Sequence, residues 1–221
     1  MRFDLQIFLD TAEPALIAEH AQTGLVDGVT TNPSLVAKAG NDFLESLAQI
    51  CSVIDGPVSA EVVATEVSAM IAEGLKLRSV GDNIVVKLPL TFDGLKACAA
   101  LAEGGHPSNV TLCFSVNQAL LAAKAGAAFV SPFIGRLDDI GEDGLGLIQR
   151  IRTVYDEYGF GTQILAASIR SLKHIEGSAR AGADCATIPP SLFEAMVQHD
   201  LTDKGLAAFL SDWKASGRGA V

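Results

Sequence analysis

The sequence predicts a closed (β/α)8 barrel in a single domain, residues 1–221, and three observations predict it. Eight short, strand-like apolar runs follow one another along 221 residues. Amphipathic stretches with recognisable helix ends separate them. The alternation also has a period: AAKAGAAFVSP and SARAGADCATIP are near copies, and their glycines, Gly126 and Gly182, stand 56 residues apart, two units of about 28. Alternation of this kind implies a parallel sheet with helical crossovers. An open doubly wound sheet would carry a Gly-rich dinucleotide turn after its first strand. Here that strand is followed by TAEPAL.

The first run is QIFLD, residues 6–10. The helix after it, TAEPALIAEHAQTG, takes Thr11 as its expected N-cap, Pro14 in its first turn and Gly24 as its stop. The second and third strands are DGVTTN (27–32) and VSAEVVA (58–64), and EVSAMIAEGLKLRSVG follows as a helix. NIVVKLP (83–89) is the fourth strand, with TFDGLKACAALAEGG after it, and SNVTLCF (108–114) is the fifth, with SVNQALLAAKAGA. AAFVSPF (127–133) and TQILAAS (162–168) are the sixth and seventh, followed by DGLGLIQRIRTVYDEYG and RSLKHIEGSARAGA. ADCATIP (183–189) closes the set. A tail helix is expected over 202–214, with Leu206, Phe209, Leu210 and Trp213 on one side at helical spacing.

Composition excludes several classes of function. A net charge of −10 provides no basic stripe to neutralise phosphates, which argues against nucleic acid. The longest apolar stretches, such as KACAALAEGG, fall far short of the ~20 residues a membrane span needs. Asp4 and Asp10 interrupt the region where a signal peptide would be apolar, so a cytoplasmic protein is expected. Cys51, Cys98, Cys113 and Cys185 are widely spaced and read as small hydrophobes in a reducing compartment. The four histidines stand singly, with no HExxH or CxxC partner, so no metal is expected.

In a (β/α)8 barrel the C-terminal ends of the strands share one mouth, and polar residues there are the candidates for chemistry. The ends offer Asp10; Thr30, Thr31 and Asn32; Glu61; Lys87; Asn109 and Thr111; Ser131, Phe133 and Arg136; Ser168 and Arg170. Taken singly, each has a bland explanation: Asp10 beginning a helix, Asn32 shaping the turn before Pro33, Arg136 pairing with Asp138 or Asp139. Of the eight lysines, however, only Lys87 is enclosed in a strand-like apolar run. A lysine at a strand end can snorkel to water, but burial also disfavours its charged form, and only the free amine attacks a carbonyl.

The stretches IFLDTA, DGVTTNPSLVAKAG, VVKLPLT, NVTLCFSVNQALLAAKAGAAFVSPFIGRLDD, ILAASIR and LTDKGLAAFLSDW resemble the short-chain transaldolases and the related fructose-6-phosphate aldolases. The resemblance runs from about Gln6 to Trp213; MRFDL and GRGAV stand outside it. It implies a barrel without cofactor in which Lys87 forms a Schiff base with a ketose phosphate, such as sedoheptulose 7-phosphate or fructose 6-phosphate. Asp10 then corresponds to the acid/base carboxylate. Glu61 and Thr111 correspond to the pair that holds a water. Thr30, Asn32, Asn109, Ser131 and Phe133 contact the sugar, and Arg136, Ser168 and Arg170 the phosphate. Transfer of a dihydroxyacetone unit to an aldose phosphate, in the pentose phosphate pathway, is the implied reaction. The aldolases carry Gln where this chain has Glu61 and Tyr where it has Phe133, so release of free dihydroxyacetone is the nearest rival, and a phosphosugar-binding barrel without covalent chemistry is the next. The resemblance also implies a homo-oligomer, a pentamer or decamer, with the tail helix on a neighbour.

Overall fold

Strands buried on both faces read as near-continuous apolar runs, and the chain closes its eight into a barrel. The computed structural model describes residues 5–39 and 42–217. Asp4 and residues 218–221 of the GRGAV tail therefore lie outside the described residues. The strands are β1 (Gln6–Asp10), β2 (Gly28–Thr30), β3 (Val58–Glu61), β4 (Ile84–Pro89), β5 (Ser108–Cys113), β6 (Phe129–Pro132), β7 (Gln163–Ala166) and β8 (Cys185–Ile188). Each pairs in parallel with the next, and β8 returns to β1. All eight fall inside the expected runs, shortened where the chain turns into a loop.

Two helices, α2 (Pro33–Ala39) and α3 (Phe43–Val53), link β2 to β3. The other crossovers carry α1 (Pro14–Ala21), α4 (Val67–Arg78), α5 (Phe92–Glu103), α6 (Val116–Lys124), α7 (Ile134–Asp138), α8 (Gly144–Tyr158) and α9 (Leu172–Arg180). After β8 come α10 (Pro190–Ala195) and α11 (Asp200–Ala215). Side-chain oxygens of Asp42, Thr91, Ser115, Asp143 and Ser171 cap α3, α5, α6, α8 and α9. Thr11 does not cap α1. Pro14, with its fixed φ, occupies the first position and makes Glu13 the N-cap. Thr11 lies too early, and its hydroxyl accepts instead from Glu13 N at 3.3 Å. The tail helix likewise starts before Thr202, because His199 Nδ1 accepts from Leu201 N at 3.1 Å and caps it.

The core has two layers. Aliphatic residues facing outward from the strands pack against the helices, Val86, Leu88, Val110 and Val130 among them. Inside the barrel, Phe8, Val85, Phe129, Leu165, Ala167 and Cys185 form a second cluster, with the Phe8 and Phe129 rings edge to face at 6.0 Å. Gly28 makes room for Phe8: a Cβ there would lie 2.8 Å from the ring and 2.6 Å from the Pro57 carbonyl. Moving along the strands towards their C-terminal ends, the interior changes from this apolar floor to Ser59, Asn109, Thr30, Lys87 and Ser131. The charged groups of the interior, Asp10, Glu61 and Lys87, are at that mouth.

Candidate active site

Strand alternation and register decide which side chains meet. Glu61, Lys87 and Asn109 are direct neighbours across β3, β4 and β5, as are Asp10 and Thr30 across β1 and β2. All face inward. A cavity of about 160 Å³ opens among them, lined by Asp10, Asn32, Lys87, Ser131, Phe133 and Arg136, together with Thr30, Ala167, Ser168 and Thr187. A larger apolar groove near Leu25 and Phe193 lies away from the strand ends and includes none of these groups.

Lys87 is 5% exposed, so its ammonium does not snorkel to water. Its Nζ lies 2.9 Å from Glu61 Oε2 and donates to the Thr31 carbonyl at 3.1 Å. Glu61 is therefore a base within direct reach of the amine. Thr111 Oγ1 is buried and makes no hydrogen bond with any of the described residues, a desolvation cost of roughly 1–3 kcal/mol if nothing in the site meets it. Asn109 is held at both ends: Nδ2 donates to Ser59 Oγ at 3.1 Å, and Oδ1 accepts from Ser131 Oγ at 2.8 Å.

A bulge shapes this side of the mouth. The β5–β6 register slips between Val110 and Cys113, and Leu112 takes a left-handed φ of 62°. The extra residue leaves Thr111 facing the interior and turns Cys113 outward into the helix-packed layer. For a non-glycine residue that conformation costs roughly 1–2 kcal/mol, an expense the fold sustains next to the site.

Opposite Lys87, Asp10 accepts from Thr30 Oγ1 at 3.1 Å. Burial pushes the Asp10 carboxyl above the ordinary aspartate range, while the Lys87 charge and the Thr30 hydrogen bond pull it back. Thr30 has one proton. If it goes to Asp10, then Thr187 Oγ1, at 2.6 Å, must be the donor to Thr30.

The far side of the cavity is stitched together by backbone. Ile134 N and Gly135 N, at the start of α7, donate to the carbonyls of Ala167 and Ser168. Ser168 has a φ of 59°, and this turn brings its side chain beside Gly135. Arg136 lies over the Phe133 ring at 5.0 Å, and Phe133 packs edge to face on Phe114. Arg136 does not make the pairing with Asp138 or Asp139 that would be its bland explanation. Arg170 does, binding Asp139 through both terminal nitrogens. Asn32 serves twice, accepting from Leu35 N to start α2 and lining the cavity.

Thr31 is the exception among the strand-end residues singled out in the sequence, its hydroxyl donating to the Ser59 carbonyl on the side packed by α3; the others lie at this mouth, but not all reach the cavity wall. Glu61, Asn109 and Thr111 stand behind Lys87 and Ser131, and Arg170 stands behind Ser168 and Gly135. Two residues had not been singled out. Ser59 orients Asn109, and Thr187, the last inward-facing residue of β8, lines the cavity; its place as the one hydroxyl near the close of ADCATIP is the signal that marks it. Among the described residues, no group of three His, Cys, Asp or Glu side chains is arranged to hold a metal.

The Transaldolase/Fructose-6-phosphate aldolase family profile matches residues 7–218. A probable transaldolase of Ruegeria sp. (strain TM1040) is 63% identical over 96% of this chain and 98% of its own length. One from Ruegeria pomeroyi is 64% identical over the same shares, and one from Dinoroseobacter shibae is 62% identical over 97% and 99%. Among solved structures, the carboxyl transferase domain of Rhizobium etli pyruvate carboxylase matches with a TM-score of 0.63 at 13% identity, over 85% of this chain and 40% of that one. That likeness concerns the barrel alone.

Proposed function

Because the chain belongs to the transaldolase/fructose-6-phosphate aldolase family, we propose that it transfers a dihydroxyacetone unit between sugar phosphates through a Schiff base on Lys87. The observation that carries this reading is a lysine 5% exposed at a barrel mouth, 2.9 Å from a carboxylate and opposite Asp10 across one polar cavity. Glu61 takes the ammonium proton, and the free Nζ attacks the ketose C2 carbonyl. Loss of water gives an iminium, which draws electrons from the C3–C4 bond. Asp10 takes the proton of the C4 hydroxyl as that bond breaks, and an aldose phosphate leaves. The three-carbon enamine then attacks the aldehyde carbon of an acceptor, and Asp10 returns the proton to the new hydroxyl. Glu61 and Thr111 hold the water that forms and hydrolyses the imine, which gives the Thr111 hydroxyl a partner. Arg136, Ser168 and Arg170 take the phosphate, guanidinium being suited to it. The reaction belongs with the sugar phosphates of the pentose phosphate pathway in the cytoplasm.

Phe133 and Glu61 favour transfer over free cleavage. The enamine is either captured by an aldehyde or protonated at carbon and hydrolysed, and a phenyl ring offers no proton. Glyceraldehyde 3-phosphate formed from fructose 6-phosphate, measured with and without erythrose 4-phosphate, tests this. Formation should depend on the acceptor in the wild type, and Phe133→Tyr should raise the acceptor-free rate, by roughly tenfold if its hydroxyl acts as an acid/base or water-holding group. Adding Glu61→Gln should raise the ratio of acceptor-free cleavage to transfer further, while loss of the Glu61 base slows both. Acceptor-free cleavage matching the transfer rate in the wild type would assign an aldolase instead.

The tail helix α11 also bears on assembly. None of its residues is buried, and Leu206, Phe209, Leu210 and Trp213 are all exposed by 40% or more. A helix of this length is marginal in water unless its apolar face is covered, and a second copy of the chain covers it in the proposed ring of five, or two such rings. Light scattering should give a mass several times that of one chain. A monomer at micromolar concentration would refute the assembly.

A further inference from the structure

Resting on the reading of Arg170 as a phosphate ligand, we propose that Asp139 is the positioning residue that aims it. A guanidinium has two edges that can grip an oxyanion: the terminal edge, Nη1 with Nη2, and the side edge, Nε with one Nη. Asp139 occupies the terminal edge completely. Its Oδ1 accepts from Nη1, and its Oδ2 accepts from Nη2 at 2.7 Å. The side edge is turned the other way: a Cβ added at Gly135 would meet Arg170 Nε at 2.9 Å and Ser168 Oγ at 3.1 Å. Nε and the Ser168 hydroxyl therefore both pack against Gly135, side by side, and Ser168 lines the cavity. Only glycine at position 135 permits that approach.

The support behind the pair is also built. Arg170 N donates to His174 Nδ1 at 3.2 Å, so Nδ1 is unprotonated, and His174 Nε2 reaches Asp138 Oδ2 at 2.9 Å. Asp138 Oδ1 in turn accepts from Gly144 N. The start of α9 is thus tied to the end of α7 by two carboxylate contacts. Both Arg170 and Asp139 are about half exposed, so a single-point contact would be worth little, but a bidentate fork fixes direction as well as distance. Without it the long arginine side chain would sample many rotamers, and binding phosphate would have to order it.

The test compares Asp139→Ala, Arg170→Ala and the double variant for kcat, KM for fructose 6-phosphate, and competitive inhibition by inorganic phosphate. Asp139→Ala should raise both KM and the phosphate inhibition constant, by about three- to tenfold, with kcat nearly unchanged and a native circular dichroism spectrum. The double variant should match Arg170→Ala alone, because Asp139 acts only through that arginine. A KM that falls in Asp139→Ala would make Asp139 a competitor of phosphate and overturn the proposal, as would an unchanged KM. A full Asp139 effect persisting without Arg170 would make its role merely structural, which also overturns it. If Arg170→Ala itself leaves KM and phosphate inhibition at wild-type values, the phosphate reading fails at Arg170 and the inference falls for that separate reason.

Discussion

Lys87→Ala should abolish transfer, by roughly 10⁴-fold or more, because the covalent route has no second nucleophile to use. Lys87 is the group bonded to Glu61 and Thr31 at the mouth, and among the described residues no other amine lines the cavity. The protein should remain folded. Removing one partner of a fully buried ion pair costs about 3–5 kcal/mol, but Glu61 is less buried than the lysine, with 16% of its side chain exposed. Water can reach it, so a loss nearer 2 kcal/mol is expected. Thermal melting and a single-turnover assay check the two halves separately. A folded Lys87→Ala protein with normal turnover would end the Schiff-base mechanism.

Asp10→Asn should cut the rate by about 10²–10⁴-fold, the usual contribution of a positioned acid/base, and should make the protein more stable at neutral pH. The sign follows from the direction of the Asp10 shift. Its carboxyl is raised above the ordinary aspartate value by burial, so the folded state favours the protonated form. The stability this group contributes is fully present below the unfolded pKa of ~3.9 and is lost as pH rises through the higher folded value. At pH 7, well above the unfolded value, the wild type has thus given up stability that Asn, with no charge to bury, does not lose. Melting temperature at pH 7 should rise by roughly 1–4 °C, and the gain should shrink towards pH 4. The acid limb of the wild-type rate profile should lie above the ordinary aspartate range. A less stable Asp10→Asn protein at pH 7 would mean that the attraction of Lys87 outweighs burial.

The elements that were legible in the sequence are those whose signal is local. Parallel strands buried on both faces give runs such as NIVVKLP, and each run's last polar residue marks the mouth, which is how Asp10, Glu61 and Lys87 could be read. Helix ends were legible where Ser, Thr or Asp sits next to the first turn, and misread at Thr11, where Pro14 fixes a later start. Contacts between distant residues left no such trace. Arg170 and Asp139 are 31 residues apart, and nothing in GRLDD says that its second aspartate turns to Arg170 while Arg136 stacks on Phe133. The bulge at Leu112 is equally silent, since leucine has no preference for a left-handed φ. Thr187 was legible in principle, one residue before the end of β8, but a threonine beside no other polar residue carries little signal until Thr30 is seen 2.6 Å away.

Borohydride reduction in the presence of fructose 6-phosphate, followed by peptide mapping, tests the covalent reading most directly, because only an imine leaves a stable secondary amine. The expected result is loss of activity with one adduct, of a three-carbon or six-carbon sugar fragment, on the peptide containing Lys87, and no adduct in Lys87→Ala. A protein that turns over fructose 6-phosphate normally yet keeps full activity and an unmodified Lys87 after reduction, or that carries its adduct on another lysine, would contradict it.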